Sequence, residues 1–319
     1  MIRVFIVLAF AIALPLALKA GDQLFYLSFA SRILIYALAA TSLNLVLGYG
    51  GMVSFGHAAF VGTGAYVASI ALTEGIGSAW IGWPAAALAS GLAALVIGAI
   101  SLRTRGVYFI MITLAFAQML YYLVNSMKAY GGDEGLTLPA RASIGFGLDL
   151  SDEVTFYYAV LLILSAAIFF FHRLIHSRFG HALVAIRENE ARAEAIGFPT
   201  QHCKLAAFVI AGAAGGLAGA LLASHGKYVN PNILHWTQSG TLLVMVILGG
   251  VGRLWGGVIG AAALLVLEYL MAEYRIDWLA ALAPNYQQHA SLGVGAVLLA
   301  VVLFAPRGVA GLFSRKIHA

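Results

Sequence analysis

The chain is 319 residues long, 62% hydrophobic and only 10% charged, with a mean hydropathy of +0.92. Soluble domains average about 25% charged residues, so a soluble enzyme or nucleic-acid-binding module is excluded and an integral membrane protein is implied. The net charge of +5 reads as basic residues gathered on cytoplasmic loops, and the single cysteine, Cys203, excludes an intrachain disulfide or a cysteine-based zinc cluster.

At roughly 20 residues per span there is room for about ten spans. Met1–Lys19 carries one arginine and then a continuous apolar run. Lys19 disturbs the small-residue cleavage pattern ending at Ala20, so this run reads as an uncleaved first span, with a cleavable signal peptide as the alternative. Nine more spans are expected near residues 30–47, 52–72, 82–101, 106–127, 154–172, 204–224, 237–250, 254–271 and 288–305. The expected fold is an all-α polytopic membrane protein, a single transmembrane domain over 1–319.

Loop charge sets the expected orientation. With ten spans, Arg103 and Arg105, the loop His172–Lys204, Arg253 and the tail Arg307, Arg315 and Lys316 fall on one side. The other side receives Lys128–Glu153, with Asp133, Glu134, Asp149 and Asp152, and then Glu273–Asp277. Basic residues collect inside, so both termini and the loop at about 173–203 are expected in the cytoplasm, and the loop at about 128–153 in the periplasm. Lys19 and Arg32 break the rule, and snorkelling at the interface makes them tolerable. Ten spans would also divide into two oppositely oriented sets of five, an inverted repeat. The glycine-rich segments Gly48–Gly64 and Gly249–Gly260 hint at it weakly, and the alternative of no repeat stands beside it.

The densest small-residue segment runs from Leu43 to Ala68. Gly48, Gly50 and Gly51 predict a backbone break, which a membrane tolerates only where protein or a water-filled cavity meets the freed polar groups. Asn44, Ser54, His57, Thr63 and Tyr66 cluster around it. They are candidates for lining a polar path, as is Gln118; the competing reading is that they satisfy one another between packed helices. Thr113 is expected to bond back to its own helix. Gly212, Gly215, Gly216 and Gly219 in one segment and Gly252, Gly256 and Gly260 in another repeat a small-xxx-small pattern that permits close helix approach. His172 and His176 lack partners for a recognised metal set and read as interfacial residues. No phosphate-binding loop and no nucleophile-elbow signature occurs, so any ATP must be bound by another chain.

The charge missing elsewhere collects between Arg173 and Cys203, with four arginines and three glutamates. Inside that loop Asn189 is placed to cap a helix, Glu190 stands in its first turn, Gly197 is the expected C′ residue and Pro199 prevents extension. About two turns of helix cannot stand alone and need a surface. Spacing puts Arg187, Ala191 and Ala195 on one face, with Glu190, Arg192 and Glu194 as its polar rim.

The segments LNLVLGYGGMVSFGHAAFVGTGAYVA, LRTRGVYFIMITLAFAQ, AIRENEARAEAIGFPTQHCKLAAFVIAGAAGGLAGAL, GGVGRLWGGVIGA and APRGVAGL stand in the order in which they resemble the permease of branched-chain amino acid ABC importers, the LivM type. The resemblance covers nearly the whole chain. It implies a bacterial inner-membrane protein that moves branched-chain or related hydrophobic amino acids inward by alternating access. It also implies a LivH-type sister permease, two cytoplasmic ATPases carrying ATP and Mg, and a periplasmic binding protein. This chain would then be no enzyme, with no catalytic residue, metal or cofactor of its own. Arg187, Glu190, Ala191, Arg192, Glu194, Ala195 and Gly197 would lie at the ATPase-coupling element. Ile196 departs there from the usual Glu-Ala-Ala pattern followed by a spaced glycine.

Three rivals stand. Closely similar permeases import urea, short amides or aromatic acids. An ion-driven carrier would place carboxylates at mid-membrane; here only Glu268 lies within a span, near its end. An intramembrane enzyme would need paired carboxylates or a metal set, and neither is visible.

Overall fold

The computed structural model describes residues 11–15, 18–19, 24–145, 149–273, 290–304 and 308–312. The expected first span, Met1–Lys19, and both termini lie largely or wholly outside them. The nine expected segments from residue 30 onward all fall on helices. The first is α1 (Leu24–Asn44), which widens without interruption into a π turn, Leu45–Tyr49. Then come α2 (His57–Thr73), α3 (Ala79–Ser101), α4 (Val107–Ser126) and α5 (Glu153–Ile175). Two short helices, α6 (Arg178–Glu188) and α7 (Glu190–Ala195), precede α8 (Thr200–Gly226), α9 (Trp236–Gly249), α10 (Gly256–Glu273), α11 (Ala290–Phe304) and a last turn, α12 (Val309–Leu312). Among the described residues six stretches are long and apolar enough to cross a membrane: Leu24–Tyr49, α3, α4, α5, α8 and α10. Helices α2 and α9 are apolar but shorter. The protein is a mostly helical, multi-pass membrane protein.

The bundle is organised by glycine, because apolar side chains gain little over lipid tails and helices must instead come close enough for backbone contact. Helix α8 packs against α2, α3 and α1. A Cβ on Gly219 would stand 1.8 Å from the Val61 carbonyl, and one on Gly64 would stand 2.0 Å from the Gly216 carbonyl. Across the bundle α10 meets α1 at Gly257 and Thr41, and α9 meets α10 through Gly249, Gly256 and Gly260. Outward-facing Leu88, Leu92, Met111, Met119, Leu162 and Phe169 are exposed, as lipid- or partner-facing residues should be.

The acidic loop is fastened down, not loose. A two-stranded ribbon pairs β1 (Leu136–Thr137) antiparallel with β2 (Tyr228–Val229). Arg141, 8% exposed, donates from Nε to the Ser224 carbonyl at 3.2 Å and from Nη1 to the Leu150 carbonyl at 3.0 Å. Its Nη2 pairs with Glu153, and its guanidinium lies 4.5 Å from the Phe156 ring centroid. A buried cation so fully partnered is a structural one.

Candidate functional site

The short helix α7 has both ends closed by its own residues. Asn189 turns extended (φ −158°, ψ 99°), and its side-chain oxygen accepts the Arg192 N–H at 2.9 Å. At the other end Gly197 takes a left-handed φ of +90°, which lets the Phe198 N–H reach the Ala193 carbonyl at 3.0 Å. Ala193 is the buried member. Glu190 receives Lys204 at 2.6 Å and Arg105 at 3.6 Å, while Glu194 accepts the Thr200 hydroxyl at 2.8 Å and stands 3.9 Å from Arg105. Arg105 is largely exposed, so its pairs contribute at most about 1 kcal/mol each. The glutamates thus tie the helix to its own bundle. Ala191, Arg192, Ala195, Ile196 and Gly197 face outward, with Ile196 68% exposed.

This corrects the single face drawn through Arg187, Ala191 and Ala195. The extended Asn189 separates α6 from α7, so Arg187 belongs to the preceding helix and points elsewhere. Its Nη1 donates to the Gly48 carbonyl inside the π turn, and its aliphatic stem covers Gly51, where a Cβ would stand 2.6 Å from Arg187 Cγ. Gly51 has φ +66°, so it is held to glycine twice over.

The π turn is gripped from a second direction. Asn44 Nδ2 donates to the Arg253 carbonyl at 2.6 Å, and the Gly252 N–H donates to Asn44 Oδ1 at 3.0 Å. Gly308 in turn packs on Gly250. The break in α1, the charged loop, the α9–α10 turn and the C-terminal segment therefore meet at one end of the bundle, together with Arg105. Removing the Asn44 amide (Asn44→Ala) leaves the half-buried Gly252 N–H without this acceptor, at about 1–3 kcal/mol, and takes one bond from the Arg253 carbonyl, which also accepts the Gly256 N–H at 2.9 Å. The melting temperature of the purified chain should fall by several degrees; an unchanged value would show that water or a shifted side chain replaces both bonds.

The other path candidates are packed. His57 is 1% exposed. The Ser42 hydroxyl donates to the Ala39 carbonyl at 2.7 Å, so His57 Nε2 is the donor in its 2.8 Å bond to Ser42 Oγ. Ser54 Oγ accepts the Gly56 N–H at 3.2 Å. Tyr66 is buried on α2 and Gln118 half-buried on α4. Thr113 bonds back to Ile110 at 3.0 Å and also accepts the Phe55 N–H at 3.3 Å. Asn44 and His57 therefore join separate elements, while Ser54 bonds within its own turn.

Open space lies elsewhere. A cavity of about 340 Å³ at the end carrying Arg141 is bounded by α1, α8 and α10, with Phe25, Phe29, Arg32, His225, Glu268 and Tyr269 on its wall. Arg32 and His225 also line a second cavity of about 330 Å³ that extends past Tyr228 and Asn230 to Gln238. Tyr36, Leu222, Ile233 and Gln238 connect that one to a narrow apolar pinch of about 20 Å³ reaching Ala58 and Val61 in the bundle core. Asn44, Ser54, His57, Tyr66 and Gln118 line none of the three. The residues that do were marked in the sequence only as exceptions: Arg32 on the wrong side for a basic residue, Glu268 as a carboxylate within a span.

Comparison with known proteins places residues 25–304 within a family model described as the branched-chain amino acid transport system / permease component. Among curated proteins, the chain is 28% identical to the high-affinity branched-chain amino acid transport system permease protein LivM of Salmonella typhimurium. That match covers 95% of this chain and 73% of the relative. The corresponding LivH protein of the same organism is 27% identical over 86% of this chain and 91% of its own length. A probable LivM of Methanocaldococcus jannaschii is 25% identical over 86% and 90%. No solved structure matches.

Proposed function

The chain belongs to the branched-chain amino acid transport permease family, and from that premise we propose that it is the LivM-type subunit of an ATP-driven importer. In this reading it lies in the bacterial inner membrane as ten spans with both termini in the cytoplasm. It pairs with a LivH-type sister permease, takes branched-chain amino acids from a periplasmic binding protein, and is driven by two cytoplasmic ATPases that hold ATP and Mg. An inverted five-helix repeat would relate its two halves.

The observation that carries the coupling part of this reading is the way α7 is held. A helix of six residues, closed at both ends and fastened on one side by Glu190 and Glu194, turns Ala191, Arg192 and Ala195 outward, with Ile196 just beyond them, and no described residue of the chain covers them. Seated in a cleft of an ATPase, such a helix moves with the ATPase. The chain continues directly into α6, whose Arg187 holds the π turn of α1. Closure of the ATPases on ATP would thus displace the broken end of α1 and the α9–α10 turn joined to it through Asn44. Coupling requires only that the two states of the bundle differ in affinity for the closed ATPase pair.

Two kinds of variant separate holding from contact. Glu190→Ala with Glu194→Ala loosens α7 from its own bundle, so ATPase co-purification should weaken while the membrane fold persists. Ile196→Asp leaves the helix fastened but puts a charge into the contact, and should lose the ATPases at least as strongly. Wild-type co-purification and transport in both would refute the docking assignment.

A further inference from the structure

Two residues that no loop or packing argument uses, Arg32 of α1 and Glu268 of α10, line the same 340 Å³ cavity. Among the described residues neither has an ion-pair partner within 4.0 Å. Arg141 shows what a structural cation looks like in this protein, with each of its three guanidinium nitrogens partnered and an aromatic ring beside it. Among the described residues Arg32 rests against the Tyr36 ring, 5.7 Å from its guanidinium carbon. Isolated charges within membrane helices cost about 2.5–3.5 kcal/mol even by lenient scales, and this cavity holds one of each sign. The rest of its wall is largely aromatic: Phe25, Phe29 and Tyr269, with Phe29 and Tyr269 centroids 5.2 Å apart. The volume lies within the usual range of small-molecule pockets, about 300–1,000 Å³.

We propose that this cavity is a binding site for a free zwitterionic amino acid, Arg32 holding the α-carboxylate, Glu268 the α-ammonium, and the aromatic wall an apolar side chain. A ligand with no net charge and two opposite poles is the one that neutralises both residues at once. A guanidinium offers the paired donors that a carboxylate accepts, and the aromatic faces give an uncharged side chain its dry contact. His225 carries the site into the second cavity and towards the pinch at Ala58, so the bound molecule stands at the mouth of a route into the bundle. The proposal rests on the transport reading above and adds where in this chain the substrate is first held.

The test uses the whole importer in lipid nanodiscs. Cys203→Ser removes the native thiol and Ser28→Cys places one on the cavity wall. Saturating L-leucine should slow maleimide labelling at position 28 at least fivefold. 4-Methylpentanoate, which lacks the ammonium, and 3-methylbutylamine, which lacks the carboxylate, should not. Arg32→Gln or Glu268→Gln should abolish the protection, and Arg32→Lys or Glu268→Asp should keep part of it. If the charge-removing variants do not assemble, the two analogues decide on their own. Labelling unaffected by leucine, equal protection by either analogue, or protection that survives both charge removals would overturn the site; the last would point to Arg32 and Glu268 as contacts to the sister permease. ATP-driven uptake by the wild-type complex is measured in parallel. Uptake without protection refutes this site and leaves the transport reading standing, whereas no uptake of any amino acid refutes the transport reading and this inference with it.

Discussion

Gly219→Val should abolish accumulation of folded permease in the membrane. The first atom of the new side chain would lie 1.8 Å from the Val61 carbonyl oxygen and 3.0 Å from the Ala65 nitrogen, where normal contact needs about 3.5 Å. Neither neighbour is a side chain that can swing away; both are backbone of α2, so α2 and α8 must separate along their length. Separation would also undo the matching contact of Gly64 with Gly216 and expose Ser90, whose hydroxyl donates to the Phe60 carbonyl at 2.9 Å. Overpacking in cores usually costs about 1–3 kcal/mol; a clash of backbone against backbone at the centre of three helices lies at or beyond the upper end. Gly82→Ala is the control, since nothing stands within 4 Å of its added carbon, and should leave expression and melting temperature unchanged. Equal yields from the two variants, read by detergent-extracted fluorescence chromatography, would mean that α2 and α8 are not in backbone contact.

Arg187→Ala should separate ATPase binding from transport. The outward face of α7 is untouched, so the ATPases should still co-purify, but the link from α6 to the Gly48 carbonyl is gone and the stem that covers Gly51 is shortened. We expect transport to fall at least tenfold, about 1.4 kcal/mol in the coupled step, while ATP hydrolysis continues with weaker dependence on substrate. Arg187→Lys keeps the stem and one donor and should recover part of the loss. A variant that loses ATPases in proportion to transport would place Arg187 at the docking contact instead, as the spacing of Arg187, Ala191 and Ala195 first suggested.

The difference between those two placements shows what the sequence could and could not tell. Caps and stops are local, and the helix at Glu190–Ala195 follows from Asn189, Gly197 and Pro199 alone. The break after Asn44 follows equally from three nearby glycines. Whether Arg187 continues that helix or ends another one depends on a single residue in extended conformation, and helical spacing carries straight across such a residue without registering it. Polar residues near the break, Asn44 and His57 among them, were equally suited to lining a path or to packing. The choice rests on partners more than a hundred residues away for Asn44, whose Oδ1 and Nδ2 meet Gly252 and Arg253. Arg32 and Glu268 are the converse case. Each is an anomaly in its own helix, and only the packing of α1 against α10 brings both to one cavity. A sequence lists exceptions one at a time; it does not say that two of them share a wall.

This chain should move an amino acid across a membrane only when joined to ATPase subunits. Uptake of radiolabelled L-leucine into proteoliposomes tests it most directly, comparing this chain with its sister permease alone against the complex with both ATPases and the binding protein, with ATP enclosed on the ATPase side and no ion gradient. Leucine should accumulate with the complete complex, but not without ATP and not with the permease pair alone. Leucine uptake by the pair alone, without ATP, in a parallel sample on which a proton or sodium gradient is imposed would contradict it.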